Sequence, residues 1–154
     1  MKKSGKLLVI GILGILFLSN MACVSAVVNG GEPGGLTPGF WKNLRKHGMY
    51  WEGYSPDEDT IGEVFVLPEE LASLNVPLID ALKFGGGKGI IGMAKSLLRA
   101  AVAAILNDAN SEIDYQYPGD VIDDVNNALA SLNRDTMEDI KDTLDEANNY
   151  GFEF

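Results

Sequence analysis

The sequence is short of cysteine, histidine and positive charge. Its one cysteine, Cys23, excludes an internal disulfide and any site built from several thiolates. Its one histidine, His47, excludes a histidine-rich zinc site. A serine triad would have to use that same residue, and no G-x-S-x-G occurs. Only 12 Lys and Arg stand against 22 Asp and Glu, a net charge of −10. That balance argues against binding nucleic acid or anionic lipid through overall electrostatics, and favours solubility, cation binding or basic partners. No N-x-[ST] sequon is present, and no segment alternates apolar and polar residues as a half-buried strand does.

Basic residues are concentrated at the start, in MKKSGK, before an unbroken apolar run from Leu7 to Leu18. SNMACVSA follows, with Val24 and Ala26 as the small residues of an A-x-A-like cleavage site. This is the pattern of a secretory signal peptide, residues 1–26. Two alternatives also export the chain. An uncleaved segment reaching Val28 is long enough to anchor in a bilayer. Cys23 could carry a lipid, although Asn20 stands where a lipobox usually has an aliphatic residue. Cleavage removes Lys2, Lys3 and Lys6 together with Cys23, so the net charge falls by three, from −10 to −13. About 130 residues then remain, enough for one domain with its own core.

Residues 27–39, VVNGGEPGGLTPG, read as an exposed Gly/Pro-rich linker, leaving 40–154 as the folded module. Pro68 suits the first turn of a short helix in FVLPEELASL, which Pro77 prevents from running on. PLIDALKF is a brief helix stopped by Gly85-Gly86-Gly87. Residues 90–107 are apolar nearly all round, with Lys95, Ser96 and Arg99 as the polar strip, which predicts a buried central helix. Two basic residues inside it speak against a membrane span. Val121, Ile122, Val125, Ala128, Leu129 and Leu132 form one helical face, and Met137, Ile140, Leu144 and Ala147 another. Asp135 with Glu138 is the expected capping box of that last helix. The short connection implies a helical hairpin packed on the central helix. The expected fold is therefore mainly α, a small single-domain bundle around helix 90–107 with a C-terminal helical hairpin. Residues 108–154 hold 13 acids against Arg134 and Lys141, which reads as the solvated outside of that hairpin.

Two short patterns invite chemistry and fail it. FGGGKGIIG, residues 84–92, lacks the hydroxyl residue after Gly87-Lys88 and the leading glycine of a phosphate loop, so it reads as a helix stop and restart. Its backbone N–H groups could still meet an anion weakly. DANSEIDY spaces Asp108, Asn110 and Glu112 like the start of a calcium loop, but Ile113 takes the glycine position and Gly119 the final glutamate position. No cofactor, metal site or catalytic residue is expected.

The segment GGLTPGFWKNLRKHGMYWEGY, residues 34–54, crowds aromatics among bases. Exposed Trp and Tyr form platforms for sugar rings, and neighbouring bases hold anionic polymers. Large aromatics more often fill cores, and Pro38-Gly39 can turn Phe40 and Trp41 inward. The candidate contact residues are Trp41, Lys42, His47, Tyr50, Trp51 and Tyr54, with Tyr50 to Tyr54 as the favoured surface end.

LTPGFWKN (36–43), IGEVF (61–65), LIDALKFGGGKGI (78–90), LLRAAVAAILN (97–107), YPGDVIDDVNNALAS (117–131) and LDEANN (144–149) occur in order. Together they resemble the exported "TPG-[FY]-W-K-N-H" module of bacterial and archaeal secreted and cell-surface proteins, over about residues 36–150. The resemblance implies an extracellular setting and a single helical module, and it implies no established activity. Leu44 stands where the family often has His, and cysteines often seen near the TPG motif and after the final Asn pair are absent. The expected function is that of an exported, non-enzymatic module at the cell surface or secreted, serving envelope attachment or interaction. The alternative is a carbohydrate- or polymer-binding domain using the aromatic patch; a hydrolase using His47 and carboxylates is a third. Expected partners are an envelope polymer or a surface protein, not nucleic acid. Membrane contact is expected only through the N-terminal segment, if uncleaved or lipidated.

Overall fold

A computed structural model describes residues 32–43 and 51–151. The signal segment, the first part of the Gly/Pro-rich stretch, His47 and Tyr50 lie outside the described residues. The elements run β1 (Glu32–Pro33), α1 (Pro38–Trp41), α2 (Ile61–Val64), a 3-10 turn (Glu69–Leu74), α3 (Leu78–Ala81), α4 (Gly89–Ala109), β2 (Ile113–Asp114), α5 (Val121–Ser131) and α6 (Arg134–Asn149).

The centre is α4. Glycines 85–87 end the preceding segment, Gly89 takes a left-handed φ of +79°, and the helix then runs uninterrupted for 21 residues. That is about 31 Å at 1.5 Å per residue. Length and hydropathy would let α4 cross a membrane, yet 67% of its most apolar window is buried inside the fold. Leu97, Leu98 and Leu106 are fully buried, and each such side chain contributes roughly 1.5–3 kcal/mol. The expected all-round burial fails only in the first turn, where Ile90 is 41% and Ile91 50% exposed.

The C-terminal hairpin packs on α4 as its period predicts. Val121, Val125, Ala128 and Leu129 of α5, and Met137, Leu144 and Ala147 of α6, face inward, whereas Ile122, expected on the same face, is exposed. Leu132 makes the reversal in a left-handed conformation, φ +46°, which is unfavourable for a side-chain-bearing residue. Its side chain packs against the core, and that contact helps to hold the conformation. The cap of α6 differs from the expected capping box. Asn133, not Asp135, closes the helix start, its side-chain oxygen accepting from the N–H groups of Asp135 at 2.9 Å and Thr136 at 3.1 Å. Glu138 is thereby free to pair with Arg134, 2.6 Å away on the next turn.

Two further expectations need correction. The helix after Pro68 is a 3-10 turn, tight enough to bury both Leu71 and Leu74 before Pro77. The end of the Gly/Pro-rich stretch is not an exposed linker: Gly34, Gly35 and Leu36 are buried. The Gly35 N–H donates to the Tyr150 carbonyl at 2.9 Å. A Cβ built on Gly35 would lie 2.3 Å from the Ala147 carbonyl oxygen, so only glycine lets the strand lie this close to α6. The glycines there serve packing rather than flexibility. Glu32–Pro33 pairs in parallel with Ile113–Asp114, a short bridge without the alternating pattern that sequence reading looks for.

Candidate functional site

The TPGFW segment builds a local turn whose purpose is inward. The Thr37 hydroxyl oxygen accepts from the Phe40 N–H at 3.3 Å, and Pro38 occupies the first helical position. This single capped turn drives Trp41 into the core, where it is fully buried, with Phe40 set edge-on at 5.9 Å. The indole N–H then needs an acceptor in an apolar interior. Asn107, near the end of the most apolar helix, supplies it at 3.0 Å.

Asn107 is completely occupied. Its oxygen accepts from Trp41 Nε1 and, at 2.8 Å, from the Leu36 N–H. Its amide nitrogen donates to the Leu36 carbonyl at 3.0 Å and to the Asn148 side-chain oxygen at 2.9 Å. An asparagine offers two acceptor sites and two donor hydrogens, and all four are used. Asn148 extends the knot: its oxygen also accepts from the Tyr115 hydroxyl at 3.0 Å, and its nitrogen donates to the Ala100 carbonyl at 3.0 Å. Among the described residues no buried side-chain nitrogen or oxygen lacks a partner. Trp41 of LTPGFW, Asn107 of AAILN and Asn148 of DEANN are thus joined in one interior network.

The candidate contact residues do not form one surface. Trp41 is inside and offers no platform. Trp51 and Tyr54 are half-buried and pack against the core. Lys42 is exposed at the end of α1. Tyr54 and Lys42 border different clefts, and His47 and Tyr50 belong to the segment outside the described residues.

The first cleft, about 270 Å³, is lined by Tyr54, Tyr115, Tyr117, Asp108 and Asp120 at the C-terminal end of α4. Tyr117 donates to Asp124 at 2.9 Å. Burial, followed by the charges of Asp108 and Asp59, raises the Tyr54 phenol above its ordinary value. Tyr115 is raised strongly by burial, then by Tyr117 and Asp108. Tyr117 is raised strongly by burial, then by its bond to Asp124 and the charges of Asp124 and Asp120. All three phenols therefore stay protonated through neutral pH. Within the calcium-like spacing of Asp108, Asn110 and Glu112, Asn110 is buried and its side chain accepts from the Glu112 N–H at 2.9 Å. Glu52 accepts from the Ser111 N–H at 2.8 Å and its hydroxyl at 3.2 Å. Among the described residues no group of three or more His, Cys, Asp or Glu is placed to hold a metal ion.

The second cleft, about 390 Å³, has the opposite character. Lys42, Lys83 and Arg99 line it beside the half-exposed Phe84, with Asp145 on one wall. Arg99 donates from one guanidinium nitrogen to the Phe84 carbonyl at 3.1 Å, which fixes the head group at the cleft. Lys95 lies 5.8 Å from the Phe84 ring centre.

Sequence reading missed Asn107, Asn148, Tyr115, Tyr117 and the role of Arg99. The two asparagines carry one signal: a residue of that polarity inside an otherwise apolar face has to find partners. Comparison with protein-family models, curated proteins and solved structures finds no match to the chain.

Proposed function

We propose that the chain is an exported, non-enzymatic module that serves attachment or interaction at the cell surface or outside the cell. The lysine-led apolar N-terminus with small residues at Val24 and Ala26 supports export. The ordered resemblance of LTPGFWKN through LDEANN to the exported "TPG-[FY]-W-K-N-H" module supports the same setting. The observation that carries the interaction reading is the interior network of Trp41, Asn107 and Asn148, in which all four hydrogen-bonding positions of Asn107 are occupied within the fold. Side chains consumed in this way serve folding, which leaves the function to the surface around them. The partner on this reading is an envelope polymer or a surface protein, not nucleic acid.

A polymer-binding reading draws support from the second cleft, where Lys42 lies with two further cations. It draws none from Trp41, which is buried. Protease shaving of intact cells tests the main proposal. Peptides from residues 51–151 are expected in the released fraction or in the culture medium before lysis. Their appearance only after lysis would overturn it.

A further inference from the structure

The chain has almost twice as many acids as bases, yet it leaves a group of bases unneutralised. Among the described residues, Arg134 and Lys141 both form ion pairs within α6. Lys83 pairs with Asp80 at 2.8 Å, and this bridge is more than half exposed. Lys42, Lys88, Lys95 and Arg99 form none with any described residue. Two of those four line the second cleft with Lys83, and Lys95 stands over the ring of Phe84 in its wall. The one carboxylate lining the cleft, Asp145, is engaged by Lys141 at 3.2 Å.

From this we infer that the cleft between α1, the end of α3 and α4 is a binding site for a phosphate group carried on a polyol or sugar. Two cations unpaired among the described residues, Lys42 and Arg99, with Lys83 beside them in a solvent-exposed bridge to Asp80, suit an anion with more than one charged oxygen. The guanidinium of Arg99, held by the Phe84 carbonyl, presents its remaining N–H groups as a fork that matches phosphate. The Phe84 ring gives the carbon skeleton an apolar wall. A volume of about 390 Å³ holds the phosphate together with one attached sugar-sized unit. A phosphodiester polymer of the envelope and a free phosphorylated polyol present the same chemistry.

The inference rests on the interaction reading but not on export. A purified protein that binds phosphate would support the site even if cell shaving failed, and the reverse result would remove the site alone. Calorimetric titration of the native protein with glycerol phosphate and with poly(glycerol phosphate) tests it, with polygalacturonate as the carboxylate comparison. Both phosphate probes are expected to saturate, and polymer preference would assign the source to the envelope. The exposed pair Lys42→Glu/Lys83→Glu is expected to weaken binding at least about tenfold, because two attractive charges become repulsive. Arg99→Lys, which keeps the charge and loses the fork, is expected to weaken it severalfold. Arg134→Glu on α6 is expected to leave it unchanged. Circular dichroism of each variant keeps loss of fold distinct from loss of the site. Absence of saturable binding by both phosphate probes would overturn the inference. So would an unchanged affinity in the folded double variant, or tighter binding of polygalacturonate than of either phosphate.

Discussion

The side-chain amide of Asn107 donates to the side-chain oxygen of Asn148 at 2.9 Å, joining α4 to α6 across 41 residues of sequence. Both residues are fully buried. The same oxygen of Asn148 receives the Tyr115 hydroxyl, so α4, α6 and the segment after β2 meet at one polar point inside an apolar body. Buried polar groups strengthen a fold only when every partner is present.

Asn107→Ala is expected to destabilise the protein by about 3–5 kcal/mol, because the Leu36 N–H and carbonyl, the Trp41 indole and Asn148 all lose a partner. Asn107→Asp would restore the acceptors, lose both donors and bury a charge, so it is expected to be no better. Equilibrium urea unfolding reads both. A loss under about 1 kcal/mol for Asn107→Ala would mean that the network contributes little.

The two tryptophans are separable by light. With Trp51→Phe, the remaining emission comes from fully buried Trp41 and is expected to be blue-shifted and resistant to acrylamide. With Trp41→Phe, emission from half-buried Trp51 is expected to be quenched more readily, and stability to fall by about 1 kcal/mol or more as the indole hydrogen bond is lost. Strong quenching of Trp41 would place the TPGFW turn at the surface.

Gly35→Ala is expected to cost about 2 kcal/mol or more, since its Cβ would lie 2.3 Å from the Ala147 oxygen and 2.8 Å from the Asn148 Cα. Both obstacles are backbone and cannot rotate away. Gly85→Ala, whose Cβ meets nothing within 4 Å, is the control and is expected to change stability by less than about 0.5 kcal/mol. Equal thermal midpoints for the two variants would refute the close strand–helix contact.

The three cleft tyrosines link stability to alkaline pH. Their phenols are raised in the fold by burial first and by nearby carboxylates second. Between the unfolded value, about 10, and the higher folded value, the folded chain holds more protons than the unfolded one. Their contribution is therefore complete below about pH 10 and is lost as pH rises through the folded values. The phenolate absorbance of these three, read as the difference from variants lacking them, is expected to appear together with unfolding rather than before it. In Tyr115→Phe/Tyr117→Phe the fall of stability above about pH 10 is expected to be shallower. Ionisation of these phenols in the folded protein near their ordinary value would contradict the burial shown for them.

What was legible follows from how local each signal is. The run from Gly92 to Leu106 and the faces of α5 and α6 repeat at helical spacing, so periodicity alone exposes them. The start of α6 was misplaced by two residues, because Asn133 and Asp135 are both good caps and only the chain path selects between them. Gly34 to Leu36 read as linker because glycine permits flexibility and close packing equally, and the strand's neighbour, Ala147, is distant in sequence. The network escaped for the same reason: Asn107 meets Leu36 and Trp41 across 71 and 66 residues. In the aromatic segment, Pro38-Gly39 is a local signal that turns Phe40 and Trp41 inward, and the capped turn at Thr37 does send Trp41 into the core while leaving Lys42 outside.

The account as a whole turns on export, and the native N-terminus tests that most directly. Mass spectrometry of the protein isolated from its own cells is expected to find a chain beginning at Val27 in the envelope or the medium. A full-length chain with Met1 intact, soluble in the cytoplasm, would contradict it.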